Sequence, residues 1–295
     1  MKENYKNRLI LVTLILMLIF YLFNSQYILN NIIDYSKLFL TKLFPVSFIF
    51  FIISNLLVDF GIISFLDNVL HIKSTKLYIF TISMISGFPS GAKYTRDLYN
   101  KGFISCRDAN KLMMFSHFPN PLFIISSLTL VIPNRIITRN ILLSIIISNF
   151  IIMLFCKIDG DKYNDSNFKK TNFSLSLATG IKSAFEVLCI IYGTSLFFYL
   201  ISCIILNTFS FSHIYYVLIC GIFDLTKGIF SVSLLESNYL RGIFVLLFIC
   251  FGSLSIHLQI KSILSDTPIN YKYFIVGRVI GTLLAFFIFN LLMLF

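Results

Sequence analysis

The sequence predicts an all-α polytopic membrane protein, built of two halves in inverted relation, with broken helices that leave room for re-entrant hairpins. Three observations predict it. Hydrophobic residues fill 57% of the 295 positions and charged residues only 13%, about half the charged share of a soluble domain. Apolar runs recur along the whole chain, and a hydrocarbon core about 30 Å thick needs about 20 apolar residues per helix. The two halves of the chain also repeat the same order of apolar and broken segments. Lipid-exposed backbone must satisfy its own hydrogen bonds, so these runs read as helices.

Taken in order, the run 9–29 is long enough to span without an internal acid. It exceeds the 7–15-residue apolar core of a signal peptide and is followed by no small-residue cleavage site, so it reads as a retained anchor. Segment 30–43 carries Ile32, Ile33, Leu38, Phe39, Leu40 and Leu43 at spacings of three and four among Asp34, Lys37 and Lys42, the pattern of an amphipathic interfacial helix. Pro45 opens the apolar segment 45–70, broken by Asn55, Asp59, Gly61 and Asp67, which suits a re-entrant hairpin or an interior helix. The stretch 77–85 is about half a membrane deep. Polar residues dominate 93–111. The apolar stretch 112–132 is interrupted by Ser116-His117-Phe118-Pro119-Asn120-Pro121, and 136–155 is a clean span. After the hydrophilic loop 157–172 the events recur: apolar 181–206, a short half-helix 215–223, apolar 241–264 with Gly252-Ser253 inside, and a closing span 273–295 that carries one cation, Arg278. Gly87 and Gly221 lie 134 positions apart, Asn120 and Ser253 133, and Arg139 and Lys272 133. That register reads as a duplication. The domains are an N-terminal transmembrane anchor (1–30), a first repeat (31–157), a cytoplasmic loop (158–172) and a second repeat (173–295).

The net charge of +11 does not mark a nucleic-acid partner, because Lys and Arg sit in short joints between apolar runs, as the positive-inside rule requires. Tyr must supply any interfacial aromatic belt, since Trp is absent. None of the six cysteines forms a C-x-x-C pair, and most read as small apolar core residues. HExxH, G-x-S-x-G, P-loop and dinucleotide signatures are missing, so the chain reads as no enzyme, with no catalytic residue, metal ligand or cofactor assigned.

Two breaks carry the candidate site. In Gly87-Phe88-Pro89-Ser90-Gly91-Ala92-Lys93, Pro removes a backbone donor and the glycines relax the chain. The freed polar groups must line a cavity or meet protein, and a half-helix end presents its dipole to a solute or ion. In Gly221-Ile222-Phe223-Asp224-Leu225-Thr226-Lys227-Gly228 the matching break holds a carboxylate. At a helix centre this carries about 2.5–3.5 kcal/mol on insertion scales and marks a substrate or ion path, unless it is tied to a base such as Lys227. Asn120, which both donates and accepts, and Pro121 form a further break, answered by Ser253, Ser255 and Gln259 in the second half. The substrate-binding candidates are Gly87, Pro89, Ser90, Gly91, Lys93, Asn120, Pro121, Asp224, Thr226, Gly228, Ser253, Ser255 and Gln259, with Asn120 and Asp224 expected to line one central cavity.

At these motifs the chain resembles the YlbJ family of sporulation integral membrane proteins. The matching stretches are LFPVSFIFFIISNLLVDFG (43–61), SGFPSGAKYTRDLYNKGFIS (86–105), NPLFI (120–124), CGIFDLTKG (220–228) and FGSLSIHLQIKSILSDT (251–267). The resemblance implies "nucleoside recognition" or gate-type repeats, a domain also found in concentrative nucleoside transporters and B-type ferrous-iron transporters. It further implies a bacterial inner-membrane protein of spore formation. Asp224 stands where Glu is usual in the family, Ser253 where a second Gly is usual, and the central loop is short. The reading is a transporter-like protein moving an unknown small polar solute or ion. The alternative is a non-transporting scaffold or assembly factor for the spore envelope. The partners are the lipid bilayer and the solute, with homo-oligomerisation left open.

Lys2, Lys6 and Arg8 place the N-terminus inside, and the lysine-rich joints 93–111 and 157–170 face the cytoplasm with Phe295 outside. A cysteine introduced as Asn164→Cys is therefore expected to react with a membrane-impermeant maleimide only after the cells are opened. Labelling in intact cells would overturn the topology.

Overall fold

The computed structural model describes residues 2–70, 75–119, 121–158 and 172–294. Helix α1 (Lys2–Phe23) leads into α2 (Ser25–Leu38) through a bend of 99°, so the expected straight span 9–29 is two helices. The bend falls at Asn24, whose φ of −120° and ψ of 37° leave the helical region while its side-chain amide donates to the Phe20 carbonyl at 3.1 Å. From Ser25 the chain stays helical to Asp59, through a π-turn (Phe39–Leu43) into α3 (Phe44–Asp59). Pro45 lacks an N–H and crowds the carbonyl of the preceding turn, and the wider π-turn ahead of it accommodates both defects. Segment 30–43 is therefore no separate interfacial helix. Segment 45–70 is no re-entrant hairpin either: it is the second half of a long helix followed by α4 (Ile62–Leu70).

The partner of this long helix is α10 (Phe173–Thr208), 36 residues and about 54 Å long at 1.5 Å per residue. The two run antiparallel. Tyr27 Oη donates to the Cys203 carbonyl at 3.5 Å, Tyr199 Oη to Asn31 Oδ1 at 3.0 Å, and Ser36 Oγ lies 2.6 Å from Tyr192 Oη. Further along, Gly180 packs against Asn55. Part of the face of 30–43 meets protein: Tyr35 and Phe39 are buried, their rings 4.8 Å and 5.0 Å from Tyr199 and Tyr192, while Ile33 and Leu40 stay exposed.

Two short helix pairs double back. Helices α5 (Thr75–Ser86) and α6 (Ser90–Asn100) pack on each other across Gly87–Pro89, with Ser86 Oγ 2.8 Å from Tyr94 Oη. Tyr78 beside Ser54 (3.2 Å) and Lys101 on Asp59 (2.5 Å) bring both open ends of the pair to the end of α3. In the second half, α11 (His213–Phe223) and α12 (Leu225–Ser231) meet at Asp224. A Cβ on Gly228 would lie 2.4 Å from the Gly221 α-carbon. Seven residues of straight helix would separate the two by about 10 Å, so the chain reverses at Asp224. A 3₁₀ turn (Val232–Leu234) follows.

Each hairpin is followed by a broken helix and a closing span. Helices α7 (Cys106–Leu112) and α8 (Pro121–Val131) flank an irregular stretch, and α13 (Asn238–Phe251) and α14 (Leu254–Ile263) flank Gly252. Gly252 has φ +91°, a conformation open to glycine at little cost. The closing spans α9 (Arg135–Phe155) and α15 (Tyr271–Leu292) pack antiparallel, with Asn140 Nδ2 donating to the Leu292 carbonyl at 3.0 Å. Packing between the halves is reciprocal: α6 meets α14 as α12 meets α8, and α7 meets α15 as α13 meets α9. Among the described residues, four helices are long and apolar enough to cross a bilayer, or five if the bent pair α1–α2 counts as one. The chain is an all-α polytopic membrane protein.

Because Gly228 rests directly on the backbone of Gly221, Gly228→Ala forces α12 off α11. The expected cost is about 1–3 kcal/mol, the usual price of overpacking, read as a lowered melting temperature in detergent. An unchanged melting temperature would contradict the hairpin.

Candidate functional site

Both hairpin tips, both helix breaks and both long helices converge on one cavity of about 70 Å³. Phe88 comes from the tip of α5–α6, and Asp224, Leu225 and Thr226 from the tip of α11–α12. Pro119 comes from the break before α8, and Ser255, Ile256 and Gln259 from α14 just after the Gly252 break. Tyr35, Leu43 and Ser47 belong to the long helix 25–59, and Ile191 and Ser195 to α10. Leu43 and Ile191 stand near the midpoints of those two helices, so the cavity lies at mid-length of the pair.

Among the described residues that line it, Asp224 is the only charged one, and it is 1% exposed. It caps α12, Oδ1 accepting from the Lys227 backbone N–H at 3.0 Å, while Ser255 Oγ donates to Oδ2 at 3.5 Å. The chain extends this network through Ser253 Oγ, 2.8 Å from Ser255 Oγ. Gln259 Nε2 donates to Ser195 Oγ at 2.8 Å. The Lys227 side chain turns away, donating to Cys203 Sγ at 2.9 Å and lying 4.6 Å above the Tyr199 ring. The tie to Lys227 that the spacing allows is therefore made by backbone alone. Among the described residues no cation stands within ion-pair distance of Asp224.

Of the sequence-derived candidates, Asp224, Thr226, Ser255 and Gln259 line the cavity, and Ser253 backs it. The others do different work. Gly87 turns the first tip with φ +81°, Pro89 is buried beside it, and Ser90 Oγ donates to the Gly87 carbonyl. Gly91 rests against the Ser116 carbonyl, where a Cβ would come within 1.7 Å, and Gly228 closes the second hairpin. Lys93 is fully buried and pairs with Asp97 at 2.6 Å, between the rings of Phe51 and Tyr94. Pro121 opens α8. Asn120, expected to meet Asp224, lies outside the described residues; its neighbour Pro119 lines the cavity.

Tyr35, Ser47 and Ser195 were not singled out by the sequence: Ser47 is a lone hydroxyl in an apolar run, Tyr35 sits among Asp34, Ser36 and Lys37, and Ser195 follows Thr194. Arg278 was visible as the one cation of the closing span, without a partner to suggest its role. It is 1% exposed. Its Nη1 donates to the carbonyls of His117 (3.2 Å) and Cys250 (3.3 Å), and its Nη2 to the Met114 carbonyl (3.4 Å) and Asn149 Oδ1 (2.8 Å). These carbonyls lie just past the end of α7 and near the end of α13, so one guanidinium satisfies backbone at both broken helices.

The chain is 25% identical to the sporulation integral membrane protein YlbJ of Bacillus subtilis over 296 residues, covering 83% of this chain and 72% of that protein. This similarity supports the YlbJ family. No family model and no solved structure matches the chain. Of the stretches that resemble the YlbJ family, 86–105 contains the first hairpin tip, 220–228 the second, and 251–267 the break that supplies Ser255 and Gln259.

Arg278→Met strips three buried carbonyls and an amide of their donor, each worth about 1–3 kcal/mol when left unmet. Arg278→Lys restores the charge but not the planar fork that reaches two breaks at once. Both variants are expected to melt well below the parent in detergent. A lysine variant as stable as the parent would show that charge alone is what matters at this position.

Proposed function

We propose that this chain is a bacterial cell-membrane protein of spore formation that moves a small polar solute or ion past Asp224, between two inverted gate-type repeats. The sporulation role rests on the similarity to YlbJ. The transport role rests on the cavity: a buried carboxylate without a cation partner among the described residues, at the point where six elements from both halves converge. A broken-helix site of this kind, placed near mid-membrane between two repeats, is the arrangement secondary transporters use.

Three features support the inversion. The order hairpin, broken helix, closing span occurs twice, with α4 as the extra element of the first half. The cross-half contacts are reciprocal. The α5–α6 hairpin opens beside the end of α3, whereas α11 leaves from the end of α10, and these two long helices are antiparallel. At the 134-residue offset Ser90 answers Asp224 and Lys93 answers Lys227, each lysine beside an aromatic ring of a long helix or its own.

The size of the cavity restricts the solute. About 70 Å³ holds on the order of five waters and is far below the roughly 300 Å³ of a drug-sized pocket. An ion or a solute of a few heavy atoms suits this conformation better than a nucleoside. Hydroxyls, an amide and one carboxylate offer oxygen donors without a competing base, which favours a cationic or hydrogen-bonding solute.

Asp224→Asn separates charge from structure, since Asn caps a helix as well as Asp. Reconstituted in vesicles and screened with tracer sodium, potassium, divalent cations and small acids, the parent is expected to carry one of them. The variant should insert at parental levels and lose that flux. Joint loss of abundance and stability would instead indicate the scaffold role, and unchanged flux would remove Asp224 from the path.

A further inference from the structure

Two opposite charges stand unpaired, three residues apart, at the tip of the second hairpin. Asp224 caps α12 and Lys227 lies in its first turn, yet among the described residues neither side chain makes an ion pair. The half-buried Lys227 donates instead to the thiol of the buried Cys203 and lies over the Tyr199 ring. A thiol is a weak acceptor, and a charge inside a membrane protein ordinarily pairs with another charge or with backbone carbonyls. The first hairpin follows that rule. Lys93, which answers Lys227 at the 134-residue offset, pairs with Asp97 one turn further along α6 at 2.6 Å. The position that answers Asp97 is Ser231, whose hydroxyl is spent on the Gly228 carbonyl. Since α12 holds no acid of its own, the acid nearest to Lys227 along the chain is Asp224. Side chains three apart on a helix are neighbours, and acid before base is the favourable order. Asp34, exposed on α2, is a second acid near Tyr199.

We propose that Lys227 determines the charge specificity of the site: its ammonium alternates between Cys203 and the Asp224 carboxylate, and a cationic solute takes its place there. This rests on Asp224 as the solute site and names cations as the solute class. With the ammonium on Cys203, the carboxylate is open to the cavity. Side-chain rotation alone carries the ammonium across, because the Lys227 backbone N–H stays on Oδ1. The pair then leaves no uncompensated acid in the low-dielectric interior, the arrangement that is costly when one partner is missing. A cation at Asp224 repels the ammonium back to the thiol and the tyrosine face. A neutral or anionic solute does not compete for the carboxylate.

Melting of the full chain in detergent, with N-methylglucamine as the only small cation, tests the contact independently of flux. Parent, Asp224→Asn, Lys227→Gln and the double variant form a cycle in which Asn keeps the cap and the backbone bond at position 227 is retained. The two losses should be non-additive, and sodium or rubidium chloride, but not choline chloride, should abolish the coupling. The same cycle with Asp34→Asn in place of Asp224→Asn should be additive. In vesicles, tracer sodium and tracer rubidium separate net uptake, which returns the site without its cation, from exchange, which does not. Lys227→Gln should lower net uptake at least about tenfold while exchange continues, and Lys227→Arg should recover net uptake. Additive losses in the Asp224 cycle, coupling to Asp34 instead, coupling unchanged by either chloride, or net uptake and exchange falling together would each overturn the proposal. Coupling abolished by sodium in a parent that carries neither tracer would uphold the Lys227 contact and remove the transport role. Additive losses in a parent that carries a tracer would do the reverse. Lys227→Met takes the place of Lys227→Gln in both assays if the latter does not purify as a single species.

Discussion

Backbone polarity inside a bilayer is the constraint from which the rest of this structure follows. Each helix break frees N–H and C=O groups that lipid cannot satisfy, so a chain with several breaks must bring them against protein or against one another. Here they share partners. Arg278 donates to carbonyls beside the broken ends of both α7 and α13. Gly91 and Gly277 let helices press directly onto the irregular stretch between α7 and α8, at Ser116 and Met114 respectively. Asp224 accepts the Lys227 N–H at the start of α12. The breaks that would each be costly on a lipid-facing helix become one polar interior.

Within that interior the two halves contribute unequal chemistry to similar geometry. The first tip offers Phe88 to the cavity, while Ser90 turns back on its own loop and Lys93 pairs with Asp97. The second tip offers a carboxylate, and its lysine is held by a thiol and a tyrosine face. The first hairpin is thus electrostatically closed on itself, and the second keeps a charge directed at the centre.

Charge is distributed outside the interior on a different principle. The basic residues of α7 and of the end of α9 gather at one end of the bundle, beside apolar faces that none of the described residues covers. These are also the residues from which the positive-inside rule reads the orientation of the chain.

The sequence by itself determined the class, most of the apolar runs and several of the helix breaks, but neither the bend at Asn24 nor the continuous helix 25–59. Hydropathy alone identified the apolar runs of α9, α10, α13–α14 and α15, and Gly and Pro marked the interruptions at 87–89, 116–121 and 252–253, because these signals depend on local backbone chemistry. Tertiary structure decided which segments reverse and which run straight. The 45–70 stretch and the 77–100 stretch both combine an apolar run with Pro and Gly, yet the first continues a long helix through a π-turn and the second doubles back. The difference lies in what each packs against: α10 along the whole length of the long helix, and α3 beside both open ends of the hairpin. The same holds for the site. Asp224 stood out as an acid at a break, but Tyr35, Ser47 and Ser195 lie far away in sequence and at no break. Only helix packing, which no local pattern encodes, places them around it.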